Sequence, residues 1–377
     1  MEIWILFIIL YCGTTLGQRM YRYILILSMN KIEYGNSTKK ATIVIPSYNE
    51  DPENLIKCVK SCVNQSYKTR VIVVDDGSKV PIKSFLDKMN FPIEIIPHYK
   101  NLGKRAAQTT GINATKDEII VTVDSDTILD KNAVSEIMKP FNDEKVGSVA
   151  GNVRIANADT NFLTKMIGAR YYNAFLIERR SQGAVNSIVC NTGSLSAYRR
   201  SVILPHLEDY NNQYFLGKKQ HYGDDRRLTA YCHMDKKEVV FCEEAVAHTF
   251  IPTKLGKLLT TLIRWKKSFW RETFLSYGYM WKNKFLTLEM LYSSVMPFAS
   301  LAIRINLIIL CLFNWTYIFY YLFIIFYMAL MSSIFMFVER GKEAWWNIAY
   351  AYFHEIFVYW LSFTALIHLR DNGWNTR

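Results

Sequence analysis

The first third of this chain repeats one arrangement: a short apolar run, rich in β-branched residues, that ends at carboxylates. Thr42–Ile45 runs into Pro46-Ser-Tyr-Asn-Glu-Asp51, which carries Tyr48 and Glu50. Val71–Val74 stops at Asp75-Asp76-Gly77-Ser78, and Glu118–Val123 stops at Asp124-Ser-Asp126-Thr127. A further run, Ile93–Ile96, ends at Pro97. Between these runs the apolar period changes. Leu55, Ile56, Val59, Cys62 and Val63 recur at helical spacing, and Ile82–Met89 and Lys104–Ala114 also read as helices. Strands of four to six residues alternating with helices predict an α/β domain over residues 40–255, built on a mostly parallel sheet with flanking helices. In such sheets ligands bind beyond the carboxyl ends of the strands. Tyr48, Glu50, Asp75, Asp76, Asp124 and Asp126 all fall at such ends, so the pattern predicts one shared site.

The rest of the chain has a different character. Residues 3–17 are apolar and Arg19 and Arg22 follow them, so residues 1–30 predict a membrane helix whose arginine stems snorkel to the interface. The charge follows the apolar core, whereas a cleaved secretory signal has it in front; the helix is therefore expected to stay, with its N-terminus outside. Residues 285–338 hold two apolar stretches, Leu288–Phe313 and Trp315–Val338, each long enough to cross a bilayer, with Asn314 between them and Arg304 inside the first. Trp345–Leu369 carries His354, Glu355 and His368 and reads as an interfacial helix or a third membrane helix. Residues 256–284 read as amphipathic interfacial helices, with Leu258, Leu259, Leu262, Ile263, Trp265 and Phe269 forming a stripe. The formal net charge is +12. Arg19, Arg22, Lys31, Lys39, Lys40, Arg340 and Lys342 flank apolar stretches, so the charge points to membrane lipid and a cytosolic 40–255 domain rather than to nucleic acid. The seven cysteines show no zinc spacing and read as thiols of a reducing compartment.

Each motif suggests a chemistry. Asp124 and Asp126 suit a divalent cation with oxygen ligands, Mg2+ or Mn2+, that neutralises a leaving diphosphate. Asp75 and Asp76 offer acceptors to a nucleoside's ring N–H and ribose hydroxyls. Lys104 and Arg105 open a helix where phosphate oxygens can bind. In Gly223-Asp224-Asp225-Arg226 one carboxylate can take a proton from an attacking hydroxyl while its neighbour is held by hydrogen bonds. Arg264 can clamp a diphosphate, and Trp265 offers a flat face to a sugar ring.

Together with Tyr198-Arg-Arg200, Phe215-Leu-Gly217 and Lys267-Ser-Phe-Trp-Arg-Glu272, these motifs resemble the processive family-2 glycosyltransferases, and within them the class I hyaluronan synthases. The resemblance implies a GT-A-like domain fused to transmembrane and interfacial helices in the cell membrane. It implies Asp225 as catalytic base, Asp124 and Asp126 as the metal and diphosphate motif, and Tyr48, Glu50, Asp76 and Lys104 in the donor pocket. Arg264 and Trp265 match the end of a Gln-x-x-Arg-Trp motif whose Gln is Thr261 here. In residues 370–377, Trp374-Asn-Thr-Arg377 resembles a gating loop that closes over nucleotide, with Trp374 and Arg377 facing the donor. A cytosolic tail requires two crossings and an interfacial 345–369 segment. Thr192-Gly193-Ser194 stands where the family has Ser-Gly-Pro. The implied activity is inverting polymerisation of UDP-sugars onto a growing, exported polysaccharide: hyaluronan from UDP-GlcNAc and UDP-GlcA, or chitin-type chains from UDP-GlcNAc alone. A catalytically inert membrane scaffold is the alternative from another class, against which Asp124, Asp126 and Asp225 argue.

Overall fold

The computed structural model describes residues 2–28 and 34–371. Four strands carry the predicted alternation: β1 (Ala41–Ser47), β2 (Arg70–Asp75), β3 (Glu94–Pro97) and β4 (Ile119–Thr122). They pair in parallel in the order β3-β2-β1-β4. Every residue of β1 is buried because helices cover both faces of the sheet. Ile43 and Ile45 pack with Leu55, Val59 and Cys62 of the Pro52–Val63 helix, while Val44 packs with Ile112 of the Lys104–Asn113 helix on the other face. Asp51 caps the first of these helices, accepting from the Glu53 and Asn54 amides at 3.0 and 3.2 Å, with Pro52 at the first helical position. The chain leaves β1 for β2 and β3 on one side and returns to β4 on the other. This reversal opens a crevice between the carboxyl ends of β1 and β4.

Beyond β4 come β5 (Ile128–Leu129), β6 (Val146–Ile155), β7 (Ser196–Arg199), the small hairpin β8 (Tyr214–Phe215) and β9 (Lys218–Lys219), and β10 (Glu238–Thr249). The sheet continues past β4 as β7-β6-β10-β5. Here the pairing changes. β7 runs antiparallel to both neighbours and β5 antiparallel to β10, while β6 and β10 are parallel. The sheet is mostly parallel, and its first four strands wholly so.

The apolar regions differ from expectation in two respects. Among the described residues, Lys284–Phe313 is the helix that is by itself long and apolar enough to cross a bilayer. The second expected span, Trp315–Val338, is broken: Tyr317–Ser332 is followed by a helical run, Ile334–Ile367, bent 55° away from it. A 16-residue helix is only about 24 Å long, against a hydrocarbon core of about 30 Å. The break has a local cause. Ser332 and Ser333 both donate to the Ala329 carbonyl, at 2.8 and 2.7 Å, and the Asn347 amide donates to Ser333 at 2.7 Å. The second difference lies in the Glu2–Ser28 helix. Arg22 does not snorkel; it is buried and pairs with Glu289 at 2.6 Å, because Glu289 offers a partner inside the bundle.

The 345–369 segment returns to the α/β domain at both ends. Ala344 packs with Ala169 and Tyr172. At the other end Arg271 donates to the Leu369 carbonyl at 3.0 Å, and the Tyr222 hydroxyl donates to the Asp371 carbonyl at 2.7 Å.

Candidate active site

Lys104 lies at the centre of the crevice. Its ammonium contacts Asp124 at 2.7 Å and Asp224 at 2.8 Å, joining the end of β4 to the start of the Asp224–Met234 helix. Burial would lower the Lys104 pKa, but Asp124 and Asp224 outweigh it and hold the ammonium charged. Gly193 lies against the same group. A Cβ there would sit 2.8 Å from an Asp124 carboxylate oxygen, so a side chain at this position would displace that carboxylate. Cys58 donates its thiol to the Asp124 carbonyl at 3.3 Å from behind.

Asp224 and Asp225 open a helix, where the macrodipole favours negative charge, yet their environments push them apart. Burial acts to raise Asp224, but Lys104 and Arg105 hold it below the usual carboxylate range. Asp225 is raised by burial and then by the charge of Asp224, with Arg226 and Lys104 opposing. Two adjacent carboxylates separated in this way suit different roles, one fixed and ionised, the other able to take a proton. Gly223, immediately before them, has φ +82° and lies against the Leu255–Ser276 helix. A Cβ on it would come within 2.4 Å of the Ser268 hydroxyl oxygen.

Arg105 does not serve as the phosphate ligand suggested by its place beside Lys104. It is buried and donates to the carbonyls of Tyr210, Tyr222 and Gly223 at 3.1–3.2 Å, and to the Gln213 side chain. It therefore pins the loop that presents Asp224 and Asp225. Gln108 adds a 3.4 Å bond to Asp224. Nothing in the sequence marks these contacts, which join residues more than 100 positions apart.

The remaining predicted residues fall into place as follows. Asp75 accepts from the Ser78 and Ile82 amides, each at 3.0 Å; Asp76 accepts from Leu102 and Gly103 at 2.9 and 2.8 Å and pairs with His98 at 2.8 Å. Both are buried and shape the loops beside the crevice. Tyr48 and Glu50 are half-buried beyond β1. Glu50 accepts from Ser125 at 2.7 Å, which ties the β1 loop to the Asp124–Asp126 turn. Asp126 is half-buried and faces Tyr171, whose hydroxyl pKa is raised by burial and then by Asp126. Arg264 and Trp265 lie on the Leu255–Ser276 helix. Arg264 comes within electrostatic reach of Tyr222, beside Gly223. Trp265 is 42% exposed. Trp374 and Arg377 lie outside the described residues, but Asp371 is held next to Tyr222, at the edge of the Asp224-Asp225 loop.

Lys104 thus lies between Asp124 and Asp224, with Asp225 within its electrostatic reach. The donor set of the Asp124–Asp126 turn is oxygen only and fits a hard divalent cation. Among the described residues no cluster of three or more His, Cys, Asp or Glu could hold a metal unaided.

A cavity of about 490 Å³ lies between the α/β domain and the apolar helices. Arg19, Arg22, Arg170, Glu178, Glu289 and His354 line part of it. Asn173, also in its wall, is buried with neither amide atom bonded.

Glycosyl transferase family 2 matches residues 42–207. A hyaluronan synthase of Streptococcus pyogenes is 35% identical over 353 residues, spanning 90% of this chain and 83% of that protein. An N-acetylglucosaminyltransferase of Neorhizobium galegae is 33% identical over 263 residues, 68% of this chain and 60% of its own. The mannosyltransferase PcManGT from Pyrobaculum calidifontis, solved in complex with GDP-Man and Mn2+, superimposes with a TM-score of 0.70 at 15% identity, over 100% of this chain and 99% of that one. That last likeness is one of fold.

Proposed function

This chain belongs to glycosyl transferase family 2 and is a glycosyltransferase of GT-A-like fold, and from that premise we propose that it is a processive, inverting, membrane-embedded polysaccharide synthase, most closely a hyaluronan synthase drawing on UDP-GlcNAc and UDP-GlcA. The observation that carries this reading is the split pair at the start of the Asp224–Met234 helix. Asp224 is fixed by Lys104, and Asp225 stands beside it with a raised pKa.

In this reading the UDP-sugar lies in the crevice between β1 and β4, its nucleoside against the Tyr48–Glu50 and Asp75–Asp76 loops. Asp124 and Asp126 would hold Mg2+ or Mn2+, which when bound neutralises charge on the leaving diphosphate. Lys104 adds a cation on the same side. Asp225 takes the proton of the acceptor hydroxyl as that oxygen attacks the anomeric carbon, and UDP leaves from the opposite face. Trp265 provides a flat surface for the acceptor ring, and Arg264 lies one residue away to meet phosphate. The polar cavity behind the site gives the product a route between the helices. Arg271 and Tyr222 hold the chain up to Asp371 against the site, from which Trp374 and Arg377 would reach the bound nucleotide from the cytosolic side.

The test is incubation of the purified protein with each UDP-sugar alone and in pairs, followed by digestion with a hyaluronan-specific lyase. Lyase-sensitive polymer that forms only from the UDP-GlcNAc and UDP-GlcA pair supports the reading. Polymer from UDP-GlcNAc alone would instead favour a chitin-type synthase, the reading the Neorhizobium relative supports.

A further inference from the structure

The cavity between the α/β domain and the apolar helices ends at a bonded layer of polar side chains. Packing fixes which end of each helix is near the domain. Ile26 packs with Ile177, Leu286 and Met290 with Ala230, and Met336, just past the Tyr317–Ser332 helix, with Ala169. In the Glu2–Ser28, Lys284–Phe313 and Tyr317–Ser332 helices the cavity-lining residues farthest from the domain are accordingly Thr15, Ser293 and Ile325. About one to three turns farther out come Tyr11, then Ser300 and Arg304, then Tyr321. The Tyr11 hydroxyl donates to Ser300 at 3.1 Å, and Arg304 donates to the Ser300 carbonyl at 2.9 Å. Arg304 also pairs with Glu355, to which the Tyr321 hydroxyl donates at 2.7 Å. Glu355 itself stands in the cavity wall. The Arg304 guanidinium lies over the Tyr359 ring, 3.6 Å from its centre, and the Tyr359 hydroxyl donates to the Pro297 carbonyl at 2.9 Å.

An ion pair is an expensive way to hold apolar helices together, since apolar side chains of the same volume do so as well or better. These groups suit a different task. Guanidinium, carboxylate and phenol bond one another while the helices are closed, and they can bond a hydroxyl-rich chain when the helices part, so neither state strands a buried polar group. Both halves of the pair also stand on irregular turns. Pro297 lies between Ser293 and Ser300 and has no amide hydrogen for the Ser293 carbonyl, which weakens the helix between the cavity wall and Arg304. Glu355 lies in a widened π-helical turn, His354–Val358, of the kind that recurs at functional sites.

We propose that Arg304 and Glu355, braced by Tyr11, Tyr321 and Tyr359, form a gate that shuts the cavity on the side away from the α/β domain and parts to let a polar chain through. The gate rests on the reading above, in which product leaves between the helices, and it adds what keeps that route closed at rest. Opening moves the outer part of the Lys284–Phe313 helix about Pro297, and hydroxyls of the passing chain take up the bonds that Arg304 and Glu355 give up.

The test uses full-length protein reconstituted in lipid vesicles loaded with self-quenching carboxyfluorescein, without UDP-sugars. Wild-type vesicles hold the dye. Arg304→Ala and Glu355→Ala each speed its release by about tenfold or more, because each leaves a buried charge unpaired in the closed state and so favours the open one. The exchanged pair, Arg304→Glu with Glu355→Arg, restores the attraction and slows release again. Dye held as well by both Ala variants as by the wild type would overturn the gate, as would wild-type vesicles that leak as fast as the variants. Equal leakage from the Ala variants and the exchanged pair would also overturn it, because the two residues would then serve the fold of the bundle rather than a closed state. Transfer from UDP-sugars, assayed in the same vesicles, tests the functional reading separately. A gate that fails while transfer persists leaves that reading intact, and a wild type without transfer sinks that reading instead.

Discussion

At the scale of single residues, the site is defined by how one lysine divides two neighbouring aspartates. Asp225→Asn should abolish transfer, by about 10²–10⁴-fold, while leaving UDP binding close to that of the wild type, because the base acts on the acceptor. Single-turnover transfer beside a nucleotide titration separates the two effects. The raised pKa of Asp225 also fixes a sign. On the proposed mechanism Asp225 acts when ionised, so activity should be present above its pKa and lost as pH falls through it, at a higher pH than for an ordinary carboxylate of about 4. In Asp224→Asn the neighbouring negative charge is gone, so the acid limb of the kcat/KM profile should move to lower pH. A limb that stays in place would mean that Asp225 is not the group titrating. The carboxylates were all legible as motif residues. Their division of labour was not, because Lys104 and Asp224 are 120 positions apart and meet only in the folded chain. The same holds for Arg105, which reads as a phosphate ligand beside Lys104 and is in fact the clamp of the Asp224-Asp225 loop.

At the scale of elements, the Asp224-Asp225 loop and the Leu255–Ser276 helix are in direct contact at Gly223. Both its positive φ and the approach of Ser268 exclude a side chain there. Gly223→Ala should therefore push the Leu255–Ser276 helix away from Asp225 and separate Trp265 from the acceptor path. Transfer should fall by more than tenfold in order of magnitude, as misplacement of about 1 Å can cost about 100-fold, with a smaller change in UDP affinity. Loss of both to the same degree would indicate a collapsed domain instead. The first four strands and their helices were legible from period and from the residues that end each run. The β6–β10 half was not, because β7 threads antiparallel between β4 and β6, a pairing that no local pattern encodes. The broken helix at Ser333 has no local signature for a related reason: serine is tolerated in apolar helices, and the bend depends on Asn347 arriving from another segment.

For the whole molecule, the apolar ends and the α/β domain are joined through buried charge. Arg22 on the Glu2–Ser28 helix pairs with Glu289 on the Lys284–Phe313 helix, and Gln182 of the α/β domain donates to the same carboxylate at 2.8 Å. Removing one partner of a buried pair strands the other, at a cost of about 3–5 kcal/mol. Glu289→Gln should accordingly lower the melting temperature of the protein in detergent and loosen the N-terminal helix to proteolysis. An unchanged melting curve would show that water in the cavity already screens Arg22. From sequence alone, the class of the domain, the placing of its motif carboxylates at strand ends, its family and the apolar character of both ends were determined, since each depends on local period and on residue types at short spacing. Tertiary structure decided which carboxylate is held and which is raised, which arginines turn inward rather than outward, and where the second apolar stretch bends. The physical reason is common to all of these. Burial and the pairing of charges are properties of neighbours in space, and here those neighbours come from segments tens to hundreds of residues apart.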